Sequence, residues 1–185
     1  MDHRHIVLLE DDQQDAALIE RELLHGGVAA TVITAPSRTH LESLLTHTKV
    51  DIVLSDSAVG DFSALDAVRM TKAMQPASEF IIVSSHMDEA GAEQAKLLGA
   101  IEWIKKNDLS QLSRLVHMTL EAMGAREREA LDAQHLDAKV KSESVLQSWQ
   151  MRRLVQAMID LSCARDLETV QRVVRSAARE INKAD

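Results

Sequence analysis

The stretch that determines the fold is His5-Ile6-Val7-Leu8-Leu9-Glu10-Asp11, a short apolar run that ends in two acids. Similar runs lead into three other polar residues further along the chain, Asp56, Ser84 and Lys106. Short apolar runs separated by amphipathic helical patterns are typical of the buried strands of a parallel sheet. Ligands of such sheets bind beyond the carboxyl ends of the strands, so these polar side chains are predicted to meet in one crevice.

Strand-like and helix-like segments alternate five times in about the first 120 residues. The predicted strands are residues 5–9, 29–34, 51–55, 79–84 and 100–104. Right-handed crossovers place the intervening helices on both faces of the sheet. The predicted fold is therefore α/β, a flavodoxin-like doubly wound sheet of five parallel strands in the order 2-1-3-4-5. An all-helical C-terminal extension follows it.

Composition narrows the functional classes. The chain has 185 residues, 45% of them apolar, and a net charge of −8, which suits one domain with an appendage and argues against a nucleic-acid partner. No apolar run is long enough to span a membrane. The single cysteine excludes an internal disulfide and fits a reducing compartment, so the expected location is cytoplasmic.

The residue types at the predicted crevice suit phosphoryl transfer. Mg²⁺ prefers oxygen ligands, and the carboxylates of Glu10, Asp11 and Asp56 supply them. Asp56 is expected to act as the nucleophile and become an acyl phosphate. The metal would neutralise the repulsion between the acids and the incoming phosphoryl oxygens, while Lys106 supplies a point charge and Ser84 a hydrogen-bond donor.

Four segments resemble the motifs of the bacterial response-regulator receiver domain. They are residues 6–12, 51–56, 81–85 and 99–106, and the resemblance extends from about residue 4 to residue 123. The spacing agrees as well, because positions 56 and 84 lie 28 residues apart and positions 84 and 106 lie 22 apart. The resemblance implies a histidine kinase or a histidine phosphotransfer protein as partner.

The resemblance also assigns roles to individual residues. The implied Mg²⁺ ligands are Glu10, Asp11, Asp56 and the backbone carbonyl of Ala58. Phosphoryl transfer to Asp56 and its later hydrolysis are self-catalysed in this family, with Lys106 and Ser84 assisting. Ser84 and Trp103 occupy the positions of the conformational switch. Ala58 and His86 occupy the two positions that tune the lifetime of the phosphoryl group.

The chain departs from the family pattern at two places. Gly60 stands where the family usually has a proline, and the loop 57–63 is accordingly expected to be more mobile than usual. Asn107 replaces the proline that commonly follows the lysine. The cis peptide bond that is common at this point is therefore in doubt, since a cis bond before a non-proline residue costs about 3 kcal/mol.

The remainder of the chain is predicted to be helical. The resemblance implies a receiver domain over residues 1–123, followed by a helical signalling linker over 124–150, while residues 151–185 resemble the opening helices of a truncated GAF domain. Met151, Leu154, Met158 and Leu161 recur at 3-4-3 spacing, which is typical of a coiled-coil seam and favours a homodimer. The same spacing also fits an amphipathic helix that packs on another part of the protein. The chain is thus expected to be a fragment of a longer signalling protein, such as a histidine kinase or a cyclic-dinucleotide enzyme.

Two functions remain open. The leading hypothesis is a receiver that is phosphorylated on Asp56 and transmits the change through a long C-terminal helix by altering dimer geometry. The alternative is a constitutive interaction module that keeps the receiver fold without switching. A flavodoxin-like nucleotide binder is disfavoured by the acids after the first strand. A dehalogenase-type phosphatase would need a second acid at position 58, which is Ala58.

Overall fold

A computed structural model describes residues 3–86, 89–163 and 167–181 of the chain. The strands are β1 His5–Leu9, β2 Thr31–Ala35, β3 Ile52–Ser55, β4 Ala58–Val59, β5 Phe62–Ser63, β6 Glu79–Ser84 and β7 Glu102–Lys105. The helices are α1 Gln13–His25, α2 Arg38–His47, α3 Ala64–Met74, α4 Glu89–Leu97, α5 Leu112–Cys163 and α6 Leu167–Ile181. A 3₁₀ turn, Leu109–Gln111, precedes α5.

The main sheet has five parallel strands in the order β2-β1-β3-β6-β7. This is the predicted order 2-1-3-4-5 once the two-residue strands β4 and β5 are set aside, so the predicted fold is confirmed. Leu9 of β1 pairs with Ser55 of β3, and Ser84 of β6 pairs with Lys105 of β7. The register therefore brings the carboxyl ends of four strands to one edge of the sheet.

Each face of the sheet carries its own apolar core, because successive side chains of a strand point to opposite faces. Val7 and Leu9 pack with Val53, Phe80 and Ile82 into the cluster that α2 and α3 cover. The opposite cluster contains Ile6, Leu8, Ile52, Leu54, Ile81, Ile19, Leu23, Leu112 and Val116. The three central strands, β1, β3 and β6, are buried on both faces along almost their whole length, which explains why they read as continuous apolar runs.

The helices begin where the sequence places capping residues. Asp12 caps α1, Ser37 caps α2 and Ser63 caps α3, each through a side-chain oxygen that accepts a backbone N–H of the first turn. The sequence pattern predicts Ser37 as the N-cap of α2, and the structure agrees. The pattern also predicts a helix from Asp88, a residue that lies outside the described part of the chain, and another helix from near Asp108. The latter helix starts later, since the 3₁₀ turn comes first.

The segment after Asp56 is not a simple loop. Val59 pairs with Phe62 in an antiparallel hairpin, and a two-residue turn, Gly60-Asp61, connects the strands. Gly60 has a φ of +61°, the left-handed conformation that such tight turns require of their first central residue. The sequence reading missed this hairpin. The Lys106–Asn107 peptide is trans, as are all peptide bonds within the described residues.

The chain divides into two compact units, residues 1–124 and residues 125–185. Helix α5 is continuous across positions 123/124 and 150/151, at which the sequence-based domain prediction divides the chain. The GAF resemblance stays a prediction, because the second unit is described only as helix, and residues 164–166 and 182–185 lie outside the described part. Among the described residues, no helix is both long and apolar enough to span a membrane.

Candidate functional site

The site residues are held by backbone hydrogen bonds that extend the sheet ladder beyond its strands. The N–H of Glu10 donates to Ala35 O at 3.1 Å, and the N–H of Asp56 donates to Leu9 O at 3.0 Å. The N–H of Lys106 donates to Ser84 O at 3.2 Å. Because the backbone is fixed at these points, the side chains emerge at one edge of a rigid sheet.

Lys106 lies at the centre of this edge. Its ammonium nitrogen is 2.6 Å from Glu10 Oε2 and 3.4 Å from Asp56 Oδ2. A third carboxylate oxygen, Asp15 Oδ2, lies 2.7 Å away. The Lys106 side chain is only 8% exposed and that of Glu10 only 1%. The structure therefore brings three predicted site residues together and adds one acid, Asp15, that was not among the predicted site residues.

The position of Asp15 in the sequence was a usable signal that it belongs to the site. It lies in the first turn of the helix that follows β1, so it starts close to the crevice at the end of that strand. Its distance from Lys106 in the sequence, 91 residues, gave no local signal of the contact. Only the tertiary structure, which brings the first turn of α1 to the residue that follows β7, shows that the Asp15 carboxylate pairs with Lys106.

For both Glu10 and Lys106, burial and hydrogen bonding shift the pKa in opposite directions. Burial raises the pKa of Glu10 above its ordinary value, and the hydrogen bond from Lys106 offsets this only in part. Burial by itself would lower the pKa of Lys106, but the hydrogen bonds to Asp15 and Glu10 outweigh it and raise that pKa well above its ordinary value. Lys106 is therefore a permanent cation in this site.

The two carboxylate oxygens of Asp56 have different partners. Oδ1 accepts hydrogen bonds from the backbone N–H of Ser57 at 2.6 Å and from the Ser57 hydroxyl at 3.3 Å. Oδ2 faces the Lys106 ammonium. The Asp56 side chain is 19% exposed, so the carboxylate is anchored from the protein side and remains accessible from solvent.

Ser84 reaches Asp56 through another hydroxyl. Its Oγ donates to Ser57 Oγ at 2.8 Å and accepts the backbone N–H of His86 at 3.2 Å. A chain of hydroxyls thus links Ser84 to Ser57 and then to the Asp56 carboxylate. The sequence reading did not single out Ser57, although a hydroxyl residue directly after the candidate nucleophile was a usable signal.

The predicted metal ligands match Mg²⁺ in chemistry, since Glu10, Asp11, Asp56 and the Ala58 carbonyl are all oxygen donors. Asp11 is exposed, and its Oδ2 accepts the N–H of Gly60 at 3.3 Å. Ala58 and Ser63 form a non-hydrogen-bonded pair of the hairpin, because the flanking pair is joined by the Ala64 N–H to Ser57 O bond. The Ala58 carbonyl is thus not used in a hydrogen bond between the two strands of the hairpin.

The metal-ligand geometry is not assembled in this structure. Within the part of the chain that is described, no three Asp, Glu, His or Cys side chains converge closely enough to hold a metal ion. The Lys106 ammonium contacts both Glu10 and Asp56 and so balances their charge itself. The donor types fit the ion, while the side-chain arrangement is that of a lysine-neutralised site.

Trp103 and His86 lie beside Ser84 rather than at the acids. The indole Nε1 of Trp103 donates to Ser84 O at 3.3 Å, and its half-buried ring packs against the core cluster that α2 and α3 cover. The Lys105 ammonium lies 5.4 Å from the centre of the same ring. His86 is exposed at the mouth of the crevice. Trp103 is therefore coupled directly to the backbone of Ser84.

Comparisons with known proteins agree with this geometry. A family model described as the response regulator receiver domain matches residues 6–118. No curated protein matches the chain.

Among solved structures, a response regulator receiver domain protein from Clostridium thermocellum shares 25% identity over 66% of this chain and 98% of its own, with a TM-score of 0.59. A response regulator from Thermotoga maritima shares 19% identity over 65% and 99%, with a TM-score of 0.58. The beryllofluoride-activated NtrC4 receiver domain dimer shares 17% identity over 64% and 98%, with a TM-score of 0.59.

Proposed function

Because the chain belongs to the response regulator receiver domain family through residues 6–118, we propose that it is the phosphoacceptor of a two-component phosphorelay, modified on Asp56. The observation that carries this proposal is the Lys106 ammonium, 3.4 Å from an Asp56 carboxylate that is still accessible to solvent. A carboxylate nucleophile next to a permanent buried cation suits transfer of a dianionic group.

The proposed transfer takes the phosphoryl group from a phosphohistidine of a kinase or a phosphotransfer protein. An Asp56 oxygen attacks phosphorus, the P–N bond breaks and its electron pair returns to the imidazole, leaving an acyl phosphate. Lys106 supplies positive charge to one phosphoryl oxygen and Ser84 donates a hydrogen bond to another. Water attack on the same phosphorus later restores the carboxylate, with both steps catalysed by the domain itself.

Mg²⁺ is part of the proposal. Glu10, Asp11, Asp56 and the Ala58 carbonyl would hold the ion, which would supply positive charge between the acids and the phosphoryl oxygens. Family membership supports this choice, since receiver domains generally bind Mg²⁺ at the phosphorylation site. The oxygen chemistry of the four donors supports it as well.

The proposed switch connects Ser84 to Trp103. If Ser84 turns from Ser57 towards a phosphoryl oxygen, its backbone carbonyl and the indole that donates to it are expected to adjust together. A cavity of about 440 Å³ lies beside Trp103, between β7 and the start of α5, so the ring has room for another position. Ala58 and His86, both exposed near the crevice, are the proposed determinants of phosphoryl lifetime.

The proposed output is a change in a homodimer formed by the C-terminal helices. Eleven large apolar side chains of α5 are exposed among the described residues. Five of them recur at helical spacing along one side of the helix and form the C-terminal stripe: Leu136, Val140, Met151, Leu154 and Met158. The side chain of Leu161, which continues the predicted seam, lies outside the described residues. The beryllofluoride-activated NtrC4 receiver domain is itself a dimer, which gives a precedent for association.

The test is modification of Asp56 in the full chain. Acetyl phosphate with Mg²⁺ should add one phosphoryl group to the wild type, measured by intact mass, and none to Asp56→Asn. Because Trp149 would contribute to the signal, a Trp149→Phe background isolates Trp103, whose fluorescence should change on modification. Absence of a mass increase in the wild type, or an equal increase in the Asp56→Asn variant, would refute the assignment.

The C-terminal stripe favours a second candidate, a constitutive interaction module, because it is exposed in a chain whose Asp56 is unmodified. Light scattering on the same samples separates the two functions. A switching receiver should change its mean mass or its dimer dissociation constant when Asp56 is modified. Modification that leaves association, hydrodynamic radius and Trp103 fluorescence unchanged would favour the constitutive module.

A further inference from the structure

The unmodified site contains an acid for which the proposed phosphoryl transfer has no use. Asp15 Oδ2 lies 2.7 Å from the Lys106 ammonium, almost as close as Glu10 at 2.6 Å and closer than Asp56 at 3.4 Å. The backbone N–H of Asp15 is fixed by the capping carboxylate of Asp12 at 3.1 Å. The side chain therefore approaches Lys106 from a defined point on the first turn of α1.

The three carboxylates around Lys106 differ in burial. The Glu10 side chain is 1% exposed, whereas that of Asp15 is 42% exposed. An ammonium group has three N–H donors, and the contacts to Glu10 and Asp15 are short enough to use two of them fully. The Asp56 contact, at 3.4 Å, is the weakest of the three.

We propose that Asp15 is a positioning residue that tethers Lys106 in the unmodified protein and competes with the phosphoryl group on Asp56 for the lysine ammonium. This inference rests on the proposed function and adds a regulatory contact to it. The acyl phosphate carries a charge of about −1.5 to −2 in place of the single negative charge of the carboxylate, and it draws the ammonium towards it. One of the existing short contacts must then lengthen.

The contact that lengthens is the one to Asp15. Its carboxylate is close to solvent, so water replaces the lost hydrogen bond at little cost. The Glu10 side chain is 1% exposed, so water cannot replace its hydrogen bond from Lys106 in the same way. Asp15 thus stabilises the unmodified state and opposes the modified one. A half-exposed ion pair is worth a factor of about two to five in an equilibrium constant.

The main test measures beryllofluoride affinity at saturating Mg²⁺ in the full chain carrying Trp149→Phe, with Trp103 fluorescence as the readout. Asp15→Asn should bind beryllofluoride about two- to fivefold more tightly than the parent, because Lys106 is released from its tether. Asp15→Glu keeps the carboxylate and should restore the parental affinity. Asp15→Ala also removes the carboxylate and should likewise tighten binding.

Asp12→Asn is the matched control. It removes the same charge three residues away, and asparagine preserves the helix cap. Asp12 makes no direct contact with Lys106 among the hydrogen bonds of the described residues; its capping oxygen serves Gln14 and Asp15. A change in affinity of less than about twofold is expected for this variant, since only the long-range field is altered.

A second readout examines the tether without any phosphoryl analogue. In ¹⁵N-labelled unmodified protein, the Lys106 NH₃⁺ group should give a resolved, slowly exchanging NMR signal that is assigned by its loss in Lys106→Arg. Asp15→Asn should speed its hydrogen exchange, and Asp15→Glu should not. A merely structural role for Asp15 would alter thermal stability without selectively affecting this signal.

The outcomes separate this inference from the proposed function. Tighter binding in Asp15→Asn and Asp15→Ala, with Asp15→Glu and Asp12→Asn near the parent, supports the tether. Parental affinity that is unchanged in Asp15→Asn, or equal gains in Asp12→Asn, overturns the tether alone. Failure of the parent to bind beryllofluoride with Mg²⁺ overturns the proposed function and, with it, the competition ascribed to Asp15.

Discussion

At the scale of single residues, the site is an arrangement of charges and hydroxyls around two atoms, the Lys106 nitrogen and Asp56 Oδ1. The lysine meets Glu10, Asp15 and Asp56, while Oδ1 is held by Ser57. Glu10 has lost nearly all its solvent, so its carboxylate depends on the lysine for compensation. This dependence makes the stability of the domain sensitive to the lysine even before any phosphoryl chemistry.

Lys106→Ala is expected to destabilise the protein by about 3 kcal/mol at pH 7, because the buried Glu10 carboxylate loses its counter-charge. Burial already raises the pKa of Glu10, and removing Lys106 raises it further. A raised pKa means that the folded state binds the proton more tightly than the unfolded state does. Stability contributed by protonated Glu10 is then present at low pH and is lost as pH rises towards the folded-state pKa.

Urea unfolding of wild type and Lys106→Ala between pH 4.5 and 8 measures this effect. The deficit of the variant should be smallest at the acidic end and grow as pH rises. Lys105→Ala is the control, since its ammonium is exposed and makes no contact with the acids. A pH-independent deficit would show that lost packing of the lysine stem, rather than an uncompensated carboxylate, is responsible.

At the scale of the elements, the packing of α1 against the start of α5 depends on one glycine. A Cβ atom added at Gly26 would lie 2.2 Å from Ser113 Cβ, although the backbone of Gly26 itself has ordinary helical angles. The Ser113 hydroxyl donates to Glu22 O at 2.8 Å, and His117 Nε2 lies 3.0 Å from Gly26 O. The two helices therefore approach through backbone groups.

Gly26→Ala should lower the free energy of unfolding by about 1–3 kcal/mol, because the new methyl group would clash with Ser113 and force the two helices apart. Adding Ser113→Gly should recover part of that loss. Gly27→Ala should cost about 1 kcal/mol for a different reason, since Gly27 has a φ of +70° and open space around it. Ser113→Gly should not rescue this variant.

Denaturant unfolding of the three single variants and the two double variants gives the two coupling energies. Coupling between positions 26 and 113 with none between 27 and 113 is the expected result. Equal coupling in both pairs would mean that the short distance does not represent the contact in solution.

At the scale of the whole molecule, the C-terminal stripe contains five of the ten large apolar side chains that the described part of α5 leaves exposed in the second unit. A helix surface of this kind is stabilised when it meets a complementary apolar surface. The proposed homodimer supplies that surface from a second copy of the chain. The proposal can be tested without phosphorylation.

Met158→Glu should weaken association at least tenfold, because a two-fold dimer would bring two like charges together in an apolar seam. Met158 is 69% exposed in the single chain, so helix stability should change little. Gln156→Glu adds the same charge on another side of the helix and is the control. Sedimentation equilibrium of the full chain measures both. Equal effects of the two variants, or none, would contradict dimerisation through the stripe.

Much of the receiver part was predictable from the sequence for a physical reason. Strands buried on both faces must be almost wholly apolar, so their positions and the polar residues that end them are visible in the chain. Parallel strands then place those ends at one edge, and this is why Glu10, Asp56, Ser84 and Lys106 could be grouped in advance. Capping residues such as Ser37 likewise act on N–H groups only a few positions away.

Only the tertiary structure decided which of these polar groups touch. The Asp15–Lys106 pair spans 91 residues and the Ser57–Ser84 hydrogen bond spans 27, so no local pattern encodes either contact. Differences of less than 1 Å between Lys106 and its three carboxylates depend on how α1, β3 and β7 pack together. The pattern of apolar runs was enough to predict the doubly wound sheet and the polar residues that end its strands. Packing determined the partner of each charge, because hydrogen bonds and ion pairs depend on distances that a one-dimensional pattern does not contain.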